Sequence, residues 1–217
     1  MRILRSIVAM GIAILIANPA LDAVAKATKP GKERWVVKTS LIESPAKKIV
    51  DLQDLLALRD VPGVTNNDKR YRDNRIGAFD NPDKLREGDM VTAEGWLHLI
   101  AGETDGDYHI QISASQNDGN NCLIVEIPKD DPNYVPSAAL RSGFGKVRSW
   151  IKEKLFHGKE PSTGGSVLTH PVYVRVSGQL FYDDSHVGDQ PRGKKGMHAA
   201  TLWELHPVTA MSFAQKP

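Results

Sequence analysis

The chain has 217 residues, of which 41% are hydrophobic and 25% are charged, and its formal net charge is +2. This length predicts one domain with extensions, and the composition is typical of a globular protein with a buried core. The near balance of charge excludes a strongly basic nucleic-acid-binding protein, and the single cysteine, Cys122, excludes an intrachain disulfide.

The first 25 residues have the features of a secretory signal peptide. Arg2 and Arg5 precede the apolar run IVAMGIAILIA, and residues 23–25 form an A-x-A-like cleavage site. The apolar run is short for a membrane-spanning helix, and no later segment of the sequence is apolar enough to span a membrane. We therefore expect an exported protein, periplasmic or secreted. An N-terminal anchor that is not cleaved is the alternative.

Residues 26–88 are predicted to form an N-terminal extension with one helix. The segment RWVVKTS, residues 34–40, is rich in residues typical of β-strands. A helix is predicted from Pro45 to Leu58, with Ser44 as its N-cap and with Ile49, Leu52, Leu55 and Leu56 at helical spacing. Proline, glycine and asparagine then predict a loop.

From residue 89 onward the hydrophobic pattern has period two. Strands are predicted at residues 89–102, 108–114 and 122–128, then a helix at 137–158, then strands at 170–183 and 200–213. The inward residues of the first strand are expected to be Val91, Ala93, Leu97 and Leu99. In the last strand, Trp203 and Leu205 should lie opposite Glu204 and His206.

The order of these elements, β-β-β-α-β-β, is that of an OB-fold barrel. The sequence therefore predicts a mainly β protein with helices: a five-stranded OB-fold-like barrel at residues 89–217 plus the N-terminal helical extension. A β-sandwich is the competing architecture, but it does not explain one well-patterned helix between the third and fourth strands.

The outer face of this barrel is the first candidate site. In OB folds the surface around the second and third strands commonly binds ligands. The alternation of side chains directs five polar or aromatic residues outward, and these are able to stack on or hydrogen-bond to a base or a sugar: Trp96, His98, His109, Gln111 and Glu126. The alternative is a solvated or helix-covered face, with Trp96 covered by the N-terminal helix around Leu52–Leu56.

A metal site is the second candidate. His109, His206 and Glu204, with Asp105 or Asp107, offer imidazole and carboxylate groups that suit zinc or another divalent ion. The alternative is that the segment DGD is a hairpin turn and that His109 hydrogen-bonds to a nearby carboxylate or carbonyl group.

The loop before the last strand is the third candidate. Arg192, Lys194 and Lys195 lie among glycines in PRGKKG, a composition able to contact phosphates or another anionic polymer. The alternative is a solvated, flexible loop.

Five segments in a fixed order carry a family resemblance: ERWVVKT, DGDYHI, IVEIP, VYVRVSGQLFYD and LWELHPV. Together they resemble a set of small exported bacterial proteins of unknown function, and the resemblance covers most of the chain after the signal segment. It implies no activity and no catalytic residue. The strand order is also similar to that of staphylococcal-type nucleases, but this chain lacks their calcium and arginine constellation.

The sequence contains no GxGxxG, P-loop, HExxH, CxxC or GxSxG motif. Binding rather than catalysis is therefore the first expectation, with a single-stranded nucleic acid, an oligosaccharide or another protein as the ligand. The alternative is a metal-dependent hydrolase, such as a phosphodiesterase or nuclease, that uses His109 and nearby carboxylates. The oligomeric state stays open.

Overall fold

The computed structural model describes residues 33–43, 45–189 and 191–216. The predicted signal segment and the predicted N-cap Ser44 lie outside these ranges. The elements, in chain order, are α1 (Trp35–Lys38), β1 (Lys47–Ile49), α2 (Leu52–Leu56), β2 (Met90–Gly102), β3 (Tyr108–Ser113), β4 (Cys122–Ile127), α3 (Ala138–Leu155), β5 (Ser166–Tyr182), a 3-10 turn (Asp184–His186) and β6 (Ala199–Phe213). Over the described ranges, no helix is long and apolar enough to cross a membrane.

Five strands form a closed barrel in the order β2-β3-β4-β6-β5, and pairing of β2 with β5 closes it. β4 and β6 run parallel, whereas the other neighbours within the barrel are antiparallel. The helix α3 connects β4 to β5. This arrangement confirms the predicted OB-fold-like barrel with helices outside it.

The barrel interior follows the predicted alternation of side chains. Trp203 and Leu205 of β6 belong to the hydrophobic core, and so do Ile110 and Ile112 of β3. The helix α3 contributes Phe144, Val147 and Ile151 to this core, and α2 contributes Leu52, Leu55 and Leu56. Because inward positions are apolar on every barrel strand, the intervening polar residues are forced to the outer face.

A β-bulge changes the alternation in β2. The register shifts between Leu97 and Leu99, so that Leu97 pairs with Ile112 but Leu99 pairs with Gln111. The extra residue of a bulge reverses which side the following residues face. The prediction that Leu99 points inward was therefore wrong, and Ile100, paired with Ile110, takes the inward place.

The N-terminal extension differs from its prediction in two places. RWVVKTS contains the helical turn α1 rather than a strand. The single helix predicted at 45–58 is divided into β1, which pairs parallel with β2, and the shorter α2, whose N-cap is Asp51. Ile49, counted in the helical stripe, is 92% exposed on the edge strand β1, so the apparent helical periodicity joined residues of two elements.

Candidate metal centre on the outer face of the barrel

Three neighbouring strands place a row of titratable side chains on the outer face. His109 of β3 pairs directly with Glu126 of β4. Because Val125 pairs with Leu205 in the parallel β4–β6 ladder, Glu126 lies beside His206. All three residues alternate with core residues, so they project together away from the barrel interior. Residues that are far apart in sequence, 109, 126 and 206, thus meet on one surface.

This outer face is covered rather than open. All six residues of β3 are buried, including the outward-facing His109 and Gln111. The loop before β6 lies across them: the backbone N–H of Lys194 donates to Gln111 Oε1 (2.8 Å), and Gln111 Nε2 donates to the carbonyl of Met197 (3.2 Å). The cover over β3 is therefore the glycine-rich loop before β6.

His206 lies at the β6 end of the row and is completely buried. Its Nδ1 is 3.3 Å from Glu126 Oε2 and 3.7 Å from Glu204 Oε2, and its Nε2 is 3.5 Å from Asp107 Oδ2. Neither imidazole nitrogen, nor Asp107 Oδ2, nor Glu204 Oε2 has a hydrogen-bond partner, although all are buried. Buried polar atoms without hydrogen-bond partners are costly, and the ion pairs of His206 with these carboxylates offset part of that cost.

Two sets of three side chains have the spacing of metal ligands. Ligand atoms of Asp107, Glu126 and His206 lie within 4.8 Å of one another, and so do those of Glu103, His109 and Glu126. We call these the inner triad and the outer triad. Glu126 belongs to both. The residues predicted for one metal site are thus distributed: Asp107 and His206 in the inner triad, Glu204 beside it, and His109 in the outer triad.

The charges of the row are mutually stabilised. Burial alone would lower the pKa of His206, but Asp107, Glu126 and Glu204 raise it well above 6.5. Burial would raise the pKa of Glu126, whereas the hydrogen bond with His109 and the proximity of His206 lower it well below 4.5. The pKa of His109 is likewise raised, against the effect of burial, by Glu126. Without a metal, protons on the imidazoles supply the positive charge.

Asp105, the alternative to Asp107, has a different position. Its Oδ1 accepts a hydrogen bond from the backbone N–H of Asp107 (3.1 Å) in the β2–β3 turn. Burial and then the neighbouring charge of Asp107 raise its pKa to about 6. Asp105 therefore stabilises the turn and borders the cleft, whereas Asp107 points into the row.

Permanent cations border the two triads. Arg192 Nη1 is 2.5 Å from both Asp183 Oδ2 and Glu204 Oε1, and its side chain is buried. Lys194 Nζ lies 3.0 Å from Glu103 Oε1. Lys38 is buried, and although burial lowers its pKa, the charges of Asp183, Glu126 and Glu204 raise it above its usual value. Lys195, in contrast, is exposed to solvent.

A cleft of about 710 Å³ opens above the row. Its walls include Lys38, Glu103, His109, Glu126, Asp183 and Lys194. Six carboxylates line it (Glu33, Glu103, Asp105, Glu126, Asp183, Asp189), against three permanent cations (Lys38, Arg192, Lys194). The cleft therefore has an excess of negative charge that favours a bound cation.

Trp96 and His98 lie apart from this cluster. The Trp96 ring contacts Tyr173 edge-on at 5.2 Å between centroids. His98 Nε2 lies 3.0 Å from Ser113 Oγ and 2.8 Å from the carbonyl oxygen of Ser115, contacts that hold the turn after β3. Neither residue belongs to the two triads or lines the cleft.

Sequence reasoning missed Lys38, Glu103 and Asp183. Lys38 and Asp183 occur within segments that carry the family resemblance, and Glu103 is the first residue of the ETDGD turn. Nothing in the spacing of these residues indicates that they meet. They lie in α1, in the β2–β3 turn and just after β5, and these segments come together only through tertiary packing. Their placement in the resembling segments was the one available signal for Lys38 and Asp183.

Comparison with known proteins identifies no family for this chain. No family model matches the chain, and no curated protein matches it. Among solved structures, asparaginyl-tRNA synthetase of Entamoeba histolytica is 14% identical, with a TM-score of 0.34, over 65% of this chain and 24% of that one. The same enzyme in complex with asparaginyl-adenylate is 14% identical, with a TM-score of 0.33, over 66% and 25%. The chain spans about a quarter of the length of those structures, and a likeness of this extent carries no functional argument.

Proposed function

We propose that the protein is a metal-dependent hydrolase of phosphate esters, exported by its N-terminal segment, with a divalent cation held by the inner triad. The observation that carries this proposal is the meeting of Asp107, Glu126 and His206 from three strand regions, where Asp107 Oδ2 and both imidazole nitrogens of His206 are buried without hydrogen-bond partners. A ligand-binding role for an open outer face has less support, because the loop before β6 covers that face.

The donor set suits a metal of the zinc or manganese type. One imidazole and two carboxylates are common ligands of such ions, which leave further positions for water. Glu204 Oε2, also without a hydrogen-bond partner and 3.7 Å from His206 Nδ1, is available as a fourth ligand. Of these residues Glu126 lines the cleft, so an ion held there borders the cleft.

The cations of the cleft indicate an anionic substrate. Ammonium and guanidinium groups pair with phosphate oxygens, and Lys38, Lys194 and Arg192 all line the cleft. The excess of carboxylates would repel an anion from the metal-free cleft. A bound divalent ion removes this repulsion, so substrate binding and metal binding are coupled.

The chemistry requires only water as co-reactant. A metal ion of this kind lowers the pKa of its bound water to about 7. With such an ion held by Asp107, Glu126 and His206, a water oxygen would bond to phosphorus, the ester P–O bond would break, and the proton lost by the water would pass to the leaving oxygen to give an alcohol. Lys38 and Lys194 would stabilise the negative charge on the phosphoryl oxygens.

The test is metal dependence of both stability and activity. After removal of metal with EDTA, addition of Zn²⁺ or Mn²⁺ at about 100 times the dissociation constant should raise the melting temperature by about 5–10 °C. It should also restore hydrolysis of bis(p-nitrophenyl) phosphate. Asp107→Asn should abolish both responses, because it replaces a charged carboxylate ligand with a neutral amide of the same size.

His170→Gln is the matched control for His206→Gln, because His170 is exposed and outside both triads. The control should respond to metal like the unmodified chain. A melting temperature that no divalent ion changes would overturn the proposal, and so would an equal response in the Asp107→Asn chain.

A further inference from the structure

We infer that the outer triad of Glu103, His109 and Glu126 is a second divalent-cation site, so that Glu126 bridges two ions. This inference rests on the proposed function, because it adds an ion to the same cleft. It changes the character of the site from one metal to a two-metal centre, the kind that clamps both the attacking and the leaving oxygens of a phosphate ester.

The orientation of Glu126 is the first argument. Its two carboxylate oxygens point to different imidazoles: Oε1 is 2.9 Å from His109 Nδ1, and Oε2 is 3.3 Å from His206 Nδ1. A carboxylate that offers one oxygen to each of two ligand groups is suited to bridging two ions, which in such centres lie about 3.5–4 Å apart.

The tautomer of His109 is the second argument. Gln111 Oε1 accepts a hydrogen bond from the backbone N–H of Lys194, and Gln111 Nε2 donates to the Met197 carbonyl, so the orientation of this amide is determined by its partners. His109 Nε2 lies 3.2 Å from the same Gln111 Oε1 and must therefore carry the proton as donor.

The other ring nitrogen of His109, Nδ1, is the atom available to a metal ion. With Nε2 donating to Gln111, Nδ1 is the ring nitrogen that faces the carboxylates: Glu126 Oε1 is 2.9 Å away and Glu103 Oε1 is 3.7 Å away. In the metal-free chain a proton on Nδ1 satisfies these oxygens, and a divalent ion bound there would take the place of that proton. A buried acceptor that fixes the opposite ring nitrogen is the usual support of a metal-ligating histidine, and Gln111 is completely buried.

Lys194 is the third argument. Its ammonium group is 3.0 Å from Glu103 Oε1, with its side chain 29% exposed. A positive charge is thus already drawn to the outer triad in the metal-free chain. A divalent ion there would displace this partly exposed side chain, which lines the cleft and would then be free to contact the substrate.

The test counts bound ions. The full chain, loaded with Mn²⁺ and dialysed, should hold two ions by elemental analysis and give the electron paramagnetic resonance spectrum of an exchange-coupled pair. Glu103→Gln should retain one ion with the spectrum of isolated Mn²⁺, and its second binding step should weaken at least tenfold. Asp107→Asn should likewise lose the coupled spectrum.

Glu94→Gln is the control, since Glu94 pairs with Arg175 on a different surface and should leave both ions in place. One ion in the unmodified chain, kept in Glu103→Gln but lost in Asp107→Asn, would overturn the second site and leave the proposed function standing. Two ions unaffected by Glu103→Gln would also overturn the second site. No bound ion in the unmodified chain would overturn both proposals.

Discussion

Glu87 and Glu204 are both buried carboxylates, but their surroundings differ. Glu87 is paired with both terminal nitrogens of Arg34, at 2.7 and 2.8 Å, and accepts further hydrogen bonds from the backbone N–H groups of Tyr182 and Ile76. Glu204 pairs with Arg192 through one oxygen and leaves the other without a partner. The first carboxylate is satisfied by the fold itself, whereas the second is left with capacity for a cation.

The Arg34–Glu87 pair is therefore expected to stabilise the fold without contributing to the cleft. Glu87→Gln leaves Arg34 as a buried, unpaired charge and should lower the free energy of unfolding by about 3–5 kcal/mol. Urea denaturation measures this change. The control is Glu94→Gln, which breaks another Arg–Glu pair, of 2.5 Å, whose arginine side chain is 61% exposed. It should cost less than about 1 kcal/mol. Equal costs for the two variants would contradict the structural role of Glu87.

The outward direction of His109, Glu126, Glu204 and His206 was predictable, because alternation along a strand requires only the strand and its parity. Which of them meet was not, since this depends on the register of β4 against β3 and β6, which the order of the strands does not give. Lys38 and Glu103 were not predictable as site residues at all. Their contribution arises from the packing of α1 and of a turn against the barrel, and no local pattern encodes it.

At the scale of the element, close packing around Gly95 of β2 leaves no room for a side chain. A Cβ atom at Gly95 would lie 2.6 Å from Leu52 Cδ2 of α2 and 3.0 Å from the carbonyl oxygen of Ser113. α2 and β3 approach β2 at this glycine from two sides. The glycine thus permits the contact by which the N-terminal extension packs against the barrel.

Gly95→Ala should therefore lower the free energy of unfolding by about 1–3 kcal/mol through overpacking. Gly143→Ala is the matched substitution in α3, where a Cβ atom would have nothing within 4 Å. It should raise stability by about 0.5–1 kcal/mol because alanine has the higher helix propensity. Thermal and urea unfolding distinguish the two, and a neutral Gly95→Ala would show that α2 does not pack tightly on β2.

Element boundaries were predictable where local sequence determines them and were missed where they depend on pairing with a distant strand. The helix α3 was predictable because its apolar stripe and its N-cap, Ser137, are local. The bulge at Leu97–Leu99 was not, since a strand with one extra residue keeps an apolar appearance on both sides of it. β1 was missed because its three residues become a strand only through pairing with β2.

At the scale of the whole molecule, the barrel and the candidate centre have different origins. The hydrophobic pattern predicts the order of the strands and the helix, so the OB-fold-like topology was predictable. The centre exists only after three further segments cover the outer face: α1, the β2–β3 turn and the loop before β6. These convert a row of polar residues into a bordered cleft with buried, unpartnered ligand atoms.

The most direct test of the central claim is an anomalous-difference map from crystals grown with Mn²⁺ or Zn²⁺. We expect a peak about 2.0–2.3 Å from donor atoms of Asp107, Glu126 and His206, on the outer face between β4 and β6. A map with no peak at this place, recorded from crystals in which the ion is bound elsewhere or not at all, would contradict it.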